Sequence, residues 1–524
     1  MATPMRFDET FDVVVVGAGS AGCVVARRLV DGGDCRVLLL EAGGPDDQES
    51  IHHTDLGSMT SMWGDPAFVW PHVTAPQHGL GGRTVAIPQG RVLGGGSSVN
   101  AMMYVRGNRR DFDHWHSLGN DGWSYPEVLP YFRRAENFID GADEFRGVDG
   151  PLDIVHYERA SDASRAFAQA AVELGYRAPG FDYNGAQQED GPFFYQSTRS
   201  KDNQRSSTAV AYLRPVRSDP NLTVTTGALA TRILLDGSTA VGVEYVVDGS
   251  VRRARAEVEV VVTAGALTTP QLLMLSGIGP VSELAEHGLT TVVDLPGVGQ
   301  NLQDHLLFGV GYESRQDLPP PALLSEAGMF LNTAPAPESA SPDLQFFFGP
   351  IQFVADEYKV DGPGFTFAPI LVQPRSRGTV TLRSGQATDL PVVDPNYLDD
   401  SADVEVLVRG IEISRDLANT RAFDGLRGRE LAPGKAVTDR AGLAGYVRAN
   451  ASTVWHPAGT CRMGSDHDAV VDDRLRVHGV ERLSVADASV MPTITCGNTN
   501  AATIMIAERA AGLIADRQNT EVVS

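Results

Sequence analysis

Two glycine-rich segments contain the residues of this sequence with the clearest capacity for chemistry. The first is GAGSAG at residues 17–22, which has the spacing GxGxxG. In this pattern one glycine permits a tight turn, the next lets a pyrophosphate approach the backbone, and the last lets a helix pack close to a sheet. Glu41 follows about 20 residues later, where a carboxylate can accept hydrogen bonds from an adenosine ribose. The segment predicts dinucleotide binding without distinguishing FAD from NAD.

The second segment is GGGSS at residues 94–98. Its backbone N–H groups carry no bulky side chains, so they can approach a phosphate closely. Apolar residues rather than a polar tract flank the segment, which argues against a flexible linker.

The elements that must position the first segment are a strand, a helix and a second strand. Residues 11–16 (FDVVVV) predict a buried strand, residues 20–29 have helical spacing, and residues 35–40 (CRVLLL) predict another strand. This order is a βαβ unit. Further strands are predicted at residues 222–226, 241–247, 258–262, 378–382 and 392–394. A loop is predicted at residues 334–342 and a C-terminal amphipathic helix at residues 500–515.

Composition narrows the class of protein. A chain of 524 residues predicts two or more domains, and 42% hydrophobic with 21% charged residues is ordinary for a globular protein. The formal net charge of −23 disfavours nucleic acid and anionic lipid as partners. The four cysteines form no CxxC pair, which predicts free thiols in a reducing cytoplasm.

The location is expected to be cytoplasmic. The first ten residues, MATPMRFDET, lack the basic and apolar parts of a signal peptide. Apolar runs are of strand length, far below the ~20 residues of a membrane span. The sequence leaves a monomer and a small homo-oligomer equally open.

Several long motifs closely resemble those of the glucose-methanol-choline (GMC) oxidoreductase family. GRVLGGGSSVN at residues 90–100 resembles the first family signature, and residues 265–279 resemble the second. VWHP at residues 454–457, SVADAS at 484–489 and NTN at 498–500 follow in order. The matches span almost the whole chain.

The resemblance implies an α/β fold in which a Rossmann-like FAD-binding domain is interleaved with an α+β substrate domain carrying a mostly antiparallel sheet. The FAD-binding domain is expected at residues 1–155, 220–305 and 455–524, and the substrate domain at residues 156–219 and 306–454. FAD is expected to be non-covalent. Val99 stands where some family members link the flavin through a histidine, and it offers no nucleophile.

The resemblance also implies the residues that contact FAD. The segment from Asn100 to Met103 is expected beside the isoalloxazine, Ala230 at the adenine, and Asn500 at the start of a helix that points at the flavin. The full expected set is Gly17, Gly19, Ser20, Ala21, Gly22, Glu41, Ala42, Arg91, Leu93, Gly94, Gly95, Ser97, Asn100, Ala101, Met102, Met103, Ala230, Trp455, Asp487, Ala488 and Asn500.

Alcohol oxidation by a flavin needs a base for the hydroxyl proton, while the hydride passes to flavin N5. By resemblance His456 is this base, and histidine suits the role because its pKa lies near neutrality. Asn498 is expected to bind the substrate oxygen and steady the developing alkoxide. His305 is interpreted as structural. No histidine has zinc-site spacing, so no metal is expected.

The preferred substrate is expected to be a small, uncharged primary alcohol, with aromatic alcohols included, because Trp455 offers a flat apolar wall. Choline is the serious rival, since Glu313 resembles by its position the carboxylate that choline oxidases offer to the ammonium group. A cation site also needs several aromatic faces, which the sequence near Trp63 and Phe330 does not supply.

The sequence leaves alternatives open for the electron acceptor and for the class of reaction. The small Val454 resembles family oxidases and predicts reoxidation by O₂, against a dehydrogenase with another acceptor. A redox-silent FAD lyase of the same fold, an NAD-dependent dehydrogenase and a non-catalytic flavin-binding protein are the other hypotheses. Whether the aldehyde is oxidised further to the acid stays open.

Overall fold

The computed structural model describes residues 5–33, 35–156, 160–321 and 323–521. Its first large sheet has seven strands, in the order Leu229–Asp236, Thr239–Val247, Ser250–Val262, Glu9–Val16, Val37–Leu40 and Leu222–Thr225, with Leu483–Val485 paired to the end of Ser250–Val262. The central pairs, on either side of Glu9–Val16, are parallel. Val13 to Val16 are buried because both faces of a parallel sheet are covered, which explains the unbroken run of valines.

Two helices that cover this sheet also frame the first glycine turn. Helix Ser20–Val30 packs against the C-terminal helix Asn500–Glu521. The buried carboxylate of Glu508 in the second helix binds Arg28 of the first at 2.8 Å. The ion pair ties the two helices together.

The second large sheet has eight strands, all paired antiparallel. Its main path runs Arg427–Ala432, Val310–Ser314, Gly364–Leu371, Leu344–Gly349, Ala327–Leu331 and Pro192–Phe194, with Leu306–Leu307 and Ser452–Thr453 at the side. Helices Asp162–Glu173, Ser401–Ala418 and Arg440–Asn450 pack with it around one apolar core.

Residues of this second sheet alternate between two apolar clusters. Phe346 and Phe348 belong to the core shared with the helices, whereas Phe347 belongs to a separate cluster with Met103 and Leu307. This is the period of two expected when successive strand residues point to opposite faces. One face of the sheet therefore packs on helices, and the other face contributes to the cluster that contains Met103 and Leu307.

The remaining elements are short and join the two sheets. The helices are Glu49–His52, Leu56–Met62, Gly96–Val99, Arg109–Ser117, Tyr125–Ala135, Thr268–Leu275 and Val281–Glu286, with single turns at His78–Leu80, Ala209–Leu213, Arg214–Val216, Asp356–Tyr358, Arg421–Phe423 and Ala488–Val490. The two-stranded sheets pair Val69–Trp70 with Gln89–Gly90, Ile278–Gly279 with Val293–Asp294, and Thr379–Thr381 with Val392–Asp394. A three-stranded sheet has Leu152–His156 between Glu136–Phe138 and Gln196–Ser197.

The predicted βαβ unit is confirmed as Glu9–Val16, Ser20–Val30 and Val37–Leu40. The strand predicted at residues 258–262 begins earlier, at Ser250, because its first half is a polar hairpin arm rich in arginine. The C-terminal helix begins at the predicted residue and extends to Glu521. Strand Leu229–Asp236, which carries Ala230, was not predicted. No helix in the described part of the chain combines the length and apolarity that a membrane span needs.

Candidate functional site

A cleft of ≈ 400 Å³ extends from the carboxyl ends of the parallel strands to the second sheet. Ligands of open α/β sheets bind outside the carboxyl ends of the strands, where the turns leave a crevice. Gly17 and Glu41 line the cleft where strands Glu9–Val16 and Val37–Leu40 end. Leu307 and Phe347 line it where the second sheet covers it.

The glycine turn is packed too closely for any side chain at two of its positions. A Cβ at Gly22 would lie 1.9 Å from the carbonyl oxygen of Gly17, and one at Gly17, whose φ is +98°, would lie 2.7 Å from the carbonyl oxygen of Thr263. Gly19 differs, because a Cβ there would meet only Gly95 Cα, at 3.9 Å. The space beside Gly19 is therefore open to a ligand rather than filled by protein.

The second glycine segment lies directly against the first. The Gly94 amide donates to the Ala18 carbonyl at 2.8 Å, and a Cβ at Gly95 would come within 2.6 Å of Gly19 Cα. Helix Ser20–Val30 begins here without a side-chain cap. Uncapped N–H groups at a helix start bind phosphate well, since they are unpaired donors at the positive end of the helix dipole.

Glu41 closes the other side of this cradle. Its carboxylate accepts from the amides of Ala18 and Gly43 at 2.9 and 2.8 Å. Burial raises the pKa of Glu41 to about 7, while the two amides and the charge of Arg91 oppose that rise. A buried carboxylate at the end of the second strand fits the adenosine ribose of a dinucleotide.

Three further hydrogen bonds join distant segments around the cleft. Asp487 accepts from the Gly265 amide at 2.9 Å and from the Thr269 hydroxyl at 2.6 Å, which ties the second family-like signature to the C-terminal one. Asn500 donates to the Ser20 hydroxyl at 2.7 Å, which ties the starts of the two helices together. These segments can therefore act on one ligand.

Most of the residues predicted to contact FAD line this cleft. They are Gly17, Gly19, Ser20, Ala21, Glu41, Ala42, Gly95, Asn100, Ala101, Met102, Met103, Ala230, Trp455, Asp487, Ala488 and Asn500. The predicted catalytic residues His456 and Asn498 line it too.

Gly22, Arg91, Leu93, Gly94 and Ser97 are predicted FAD contacts that the cleft lining does not include. These five residues lie behind the lining residues and pack against the segments that form the cleft. Ser97 donates to the Gly94 carbonyl at 2.6 Å, and Leu93 is fully buried. The Arg91 guanidinium lies 4.4 Å from the ring centroid of Trp70, which itself lines the cleft.

The predicted catalytic pair is in contact, and a third residue joins it. His456 Nε2 lies 3.3 Å from Asn498 Nδ2, and His456 Nδ1 lies 3.0 Å from His305 Nδ1. Burial lowers the pKa of His456 to about 3, well below the near-neutral value expected from the sequence, so the ring is neutral but a weaker base than a solvated histidine. The pKa of His305 lies well below its usual value, because burial and the nearby His456 both disfavour the charged ring, against a smaller opposing effect of the Val372 backbone. Both imidazoles are therefore neutral near pH 7.

Asp304 anchors the backbone that carries these rings. One of its oxygens accepts from the amides of His305 and His456 at 2.9 and 2.8 Å. The other accepts from the hydroxyls of Tyr397 and Thr453. Burial raises the pKa of Asp304 to about 6, although all four donors oppose this shift.

Trp455, beside the histidine, has a left-handed backbone with φ of +64°, which is uncommon for a bulky residue. The Trp455 amide donates to the Thr453 hydroxyl at 2.7 Å, and its ring meets Trp63 edge to face at 4.7 Å between centroids. These contacts hold one indole as a wall next to His456.

The part of the cleft beside His456 is apolar. Its lining includes Leu307, Leu324, Phe347, Phe353 and Val454. Among the described residues, the carboxylates that line the cleft are Glu41 and Asp487, both already bound to backbone amides of the cradle. Glu313 is not in the lining and instead pairs with Arg429 at 2.9 Å.

Sequence reasoning missed several residues of this site. His305 was interpreted as structural, and its contact with His456 bridges 151 positions of the chain. Phe347 and Phe353 were not singled out. The alternation of residues 346–348 between two apolar clusters would have marked Phe347 only if the position of the strand had been known. Trp63, which the sequence placed outside any aromatic cage for a cation, lines the cleft as an apolar wall.

Comparisons with known proteins agree with this architecture. A family model described as GMC oxidoreductase matches residues 11–307, and a second model of that description matches residues 374–507. Mitochondrial choline dehydrogenase of Mus musculus is 40% identical over 97% of this chain and 89% of its own length. An alcohol dehydrogenase (acceptor) of Pseudomonas putida is 39% identical over 96% of this chain and 95% of its own.

Solved structures show the same fold. A pyridoxine 4-oxidase from Mesorbium loti superposes with a TM-score of 0.91 at 34% identity, covering 96% of this chain and 98% of its own. A formate oxidase of Aspergillus oryzae RIB40 superposes with a TM-score of 0.89 at 26% identity, covering 98% and 100%.

Proposed function

This chain belongs to the GMC oxidoreductase family, and we propose that it oxidises an uncharged primary alcohol to the aldehyde with His456 as the proton acceptor. Family membership makes the chain an FAD-binding enzyme that acts on CH–OH groups. The predicted fold class and cofactor are thereby confirmed, and FAD excludes the NAD-dependent alternative. The glycine cradle and the buried Glu41 fit the cofactor.

The environment of His456 supports its assignment as the base. Its ring lines the cleft and is neutral near pH 7. Nδ1 is engaged by His305, and Nε2, which contacts Asn498 at 3.3 Å, is the nitrogen that can accept the substrate proton. The Asn498 amide nitrogen carries two hydrogens, so besides its contact with His456 it can donate a hydrogen bond to the substrate oxygen. FAD, when bound, supplies the hydride acceptor.

The substrate end favours a neutral, apolar alcohol. Leu324, Phe347 and Phe353 surround it with Trp455, and Phe353 has 43% of its surface exposed, so the apolar wall continues to solvent. A cation at this end would have no free carboxylate partner, because the two carboxylates in the described lining, Glu41 and Asp487, are bound to backbone amides of the cofactor cradle. Desolvating an ammonium group without such a partner is costly. These observations support a neutral alcohol rather than choline as the proposed substrate, although choline dehydrogenases are among the relatives.

We propose that FAD is bound non-covalently. Val99 is buried at the end of helix Gly96–Val99 and lines the cleft with an inert side chain. Acid precipitation should release the yellow chromophore into the supernatant. Colour retained in the pellet would contradict the proposal.

The interleaved domain division also stays a proposal. Strands of the first sheet come from residues 9–40, 222–262 and 483–485, and those of the second from residues 192–194 and 306–453. These segments support an FAD-binding domain at residues 1–155, 220–305 and 455–524, with the substrate domain formed by the rest.

Anaerobic reduction of the bound flavin by an alcohol tests the function directly. His456→Ala should slow reduction by about 10²-fold or more, the usual scale for losing a positioned base. His478→Ala is the matched control, because His478 binds the Gly464 carbonyl outside the cleft. An unchanged rate in folded, FAD-loaded His456→Ala would exclude His456 as the base. A flavin that no alcohol reduces would favour the lyase alternative.

A panel of choline, benzyl alcohol, a hydroxymethyl-furan and a simple aliphatic alcohol tests the substrate class. We expect kcat/KM to favour the neutral alcohols. Glu313→Gln should leave this preference unchanged, because Glu313 pairs with Arg429 outside the cleft lining. A preference for choline of about tenfold, or ~1.4 kcal/mol, would contradict the neutral-substrate proposal.

For the acceptor, we propose O₂. Val454 lines the cleft between Thr453 and Trp455, where a small apolar side chain leaves space for a small apolar molecule. Stoichiometric hydrogen peroxide in air is the expected result. A reduced flavin that persists for minutes in air would show that another acceptor is required.

A further inference from the structure

His305 contacts His456 from the side away from the cleft. It is fully buried, is absent from the cleft lining, and places its Nδ1 3.0 Å from His456 Nδ1. The two rings are perpendicular, with 5.2 Å between centroids. This geometry is a hydrogen bond between two imidazoles, not a stacking contact.

A neutral imidazole has one nitrogen that donates and one that accepts. Because both rings are neutral near pH 7, the two Nδ1 atoms share one proton. If His305 held it, His456 Nδ1 would accept and its Nε2 would carry the other hydrogen. His456 would then present an N–H to the cleft and could not take a proton from an alcohol. If His456 Nδ1 holds the proton, Nε2 keeps its lone pair.

We propose that His305 is a positioning residue that accepts the Nδ1 proton of His456 and thereby keeps Nε2 unprotonated toward the substrate. The proposal rests on the proposed role of His456 as the base. The contact on the other side agrees with it, since Asn498 Nδ2 can only donate to His456 Nε2, at 3.3 Å. Both neighbours then favour the same tautomer.

The same hydrogen bond strengthens when the proton is transferred. The substrate O–H bond breaks, an Nε2–H bond forms, and His456 gains one positive charge. A charged donor makes a stronger hydrogen bond than a neutral one, so the Nδ1–H to His305 Nδ1 contact stabilises the product of this step. Asp304 keeps the two rings at this distance by binding both backbone amides.

Amide substitutions at His305 distinguish two roles of this residue: accepting a hydrogen bond at Nδ1 and only filling space. The Oδ1 of His305→Asn can occupy the position of Nδ1, whereas the longer amide of His305→Gln places its polar atoms near Nε2. His305→Leu keeps volume without an acceptor. We expect anaerobic flavin reduction to slow at least about tenfold in the Leu and Gln variants and to stay within about threefold of wild type in the Asn variant. These effects are smaller than the 10²- to 10⁴-fold rate contribution of a positioned base, because His305 acts only through His456.

A double-mutant comparison identifies the route of the effect. In a His456→Ala background, His305→Leu or His305→Gln should change the rate by less than about twofold, because residues that act as a unit are non-additive. Each variant is measured as FAD-loaded protein with a native circular dichroism spectrum.

Three results would overturn the proposal. They are an undiminished rate in either His305→Leu or His305→Gln, equal losses in the Asn and Gln variants, and a loss that persists when His456 is already alanine. If His456→Ala alone leaves the rate unchanged, the proposed function has failed and this inference falls with it. That outcome is distinct, because it appears before any substitution at residue 305.

Discussion

The two ends of the cleft use different parts of the polypeptide. The cofactor end is mainly backbone: Gly17, Gly22 and Gly95 stand so close to neighbouring main-chain atoms that no Cβ fits. The substrate end is made of side chains from distant strands and loops, with His456 and Asn498 as its polar groups. We expect FAD binding at the cofactor end to be weakened by added side-chain atoms. We expect the rate of flavin reduction at the substrate end to be lowered by the loss of particular polar atoms.

The largest expected effect comes from one methyl group at the cofactor end. Gly19→Ala should fold, because its Cβ meets only Gly95 Cα at 3.9 Å, yet it occupies the space through which a pyrophosphate approaches. FAD affinity should fall at least about 100-fold, or ~2.7 kcal/mol. Titration of apoprotein with FAD measures this, and Gly44→Ala, with no atom within 4 Å of its Cβ, is the control. Normal FAD content in Gly19→Ala would show that the cradle lies elsewhere.

The next effect belongs to the substrate end. Asn498→Ala should slow flavin reduction by about 10- to 100-fold, since a hydrogen bond to a charged group contributes about 1.5–3 kcal/mol. FAD content should not change, because Asn498 has no contact with the glycine cradle among its described hydrogen bonds. Asn450→Ala is the control, as Asn450 only binds the Tyr446 carbonyl at a helix end. Loss of FAD in Asn498→Ala would contradict the proposal that the two ends of the cleft have separate roles in cofactor binding and chemistry.

A smaller effect is expected for the carboxylate of the cradle. Glu41→Gln keeps the shape but weakens acceptance from the ribose, so FAD affinity should fall by about tenfold, the lower value for a hydrogen bond to a charged group. Rapid-reaction measurements on the fully loaded variant should give an unchanged rate of flavin reduction. A slower rate at full occupancy would place Glu41 in the chemistry rather than in binding.

The smallest effect is a difference in pH dependence between the two ends. The pKa of Glu41 is raised to about 7, so its acceptor form is lost as pH falls from 8 to 6, and FAD should bind a few-fold more weakly at pH 6. His456, with its pKa lowered to about 3, stays deprotonated throughout, so flavin reduction should be constant over this range. Glu41→Gln should abolish the change in affinity. A reduction rate that falls below pH 7 with an apparent pKa near 6.5 would contradict the neutral environment assigned to His456.

The sequence by itself determined the cofactor end almost completely. Residues 9–41 contain the βαβ unit, the GxGxxG turn and Glu41. Each of these features can be recognised locally, as a strand buried on both faces, a turn without side chains and an acid at the end of a strand. Such features are formed by near neighbours in the chain. Family resemblance added the segments around Gly95, Asp487 and Asn500, which the structure brings to the same cleft.

Only the tertiary structure decided the arrangement of the substrate end. His305, His456 and Asn498 lie on separate segments, and nothing in the spacing of residues 305 and 456 reveals that their Nδ1 atoms meet at 3.0 Å. The same holds for Phe347, whose direction depends on the register of its strand, and for Glu313, which pairs with Arg429 rather than entering the cleft. Side-chain contacts of this kind depend on how two sheets pack together, and packing is a property of the whole chain rather than of any local pattern.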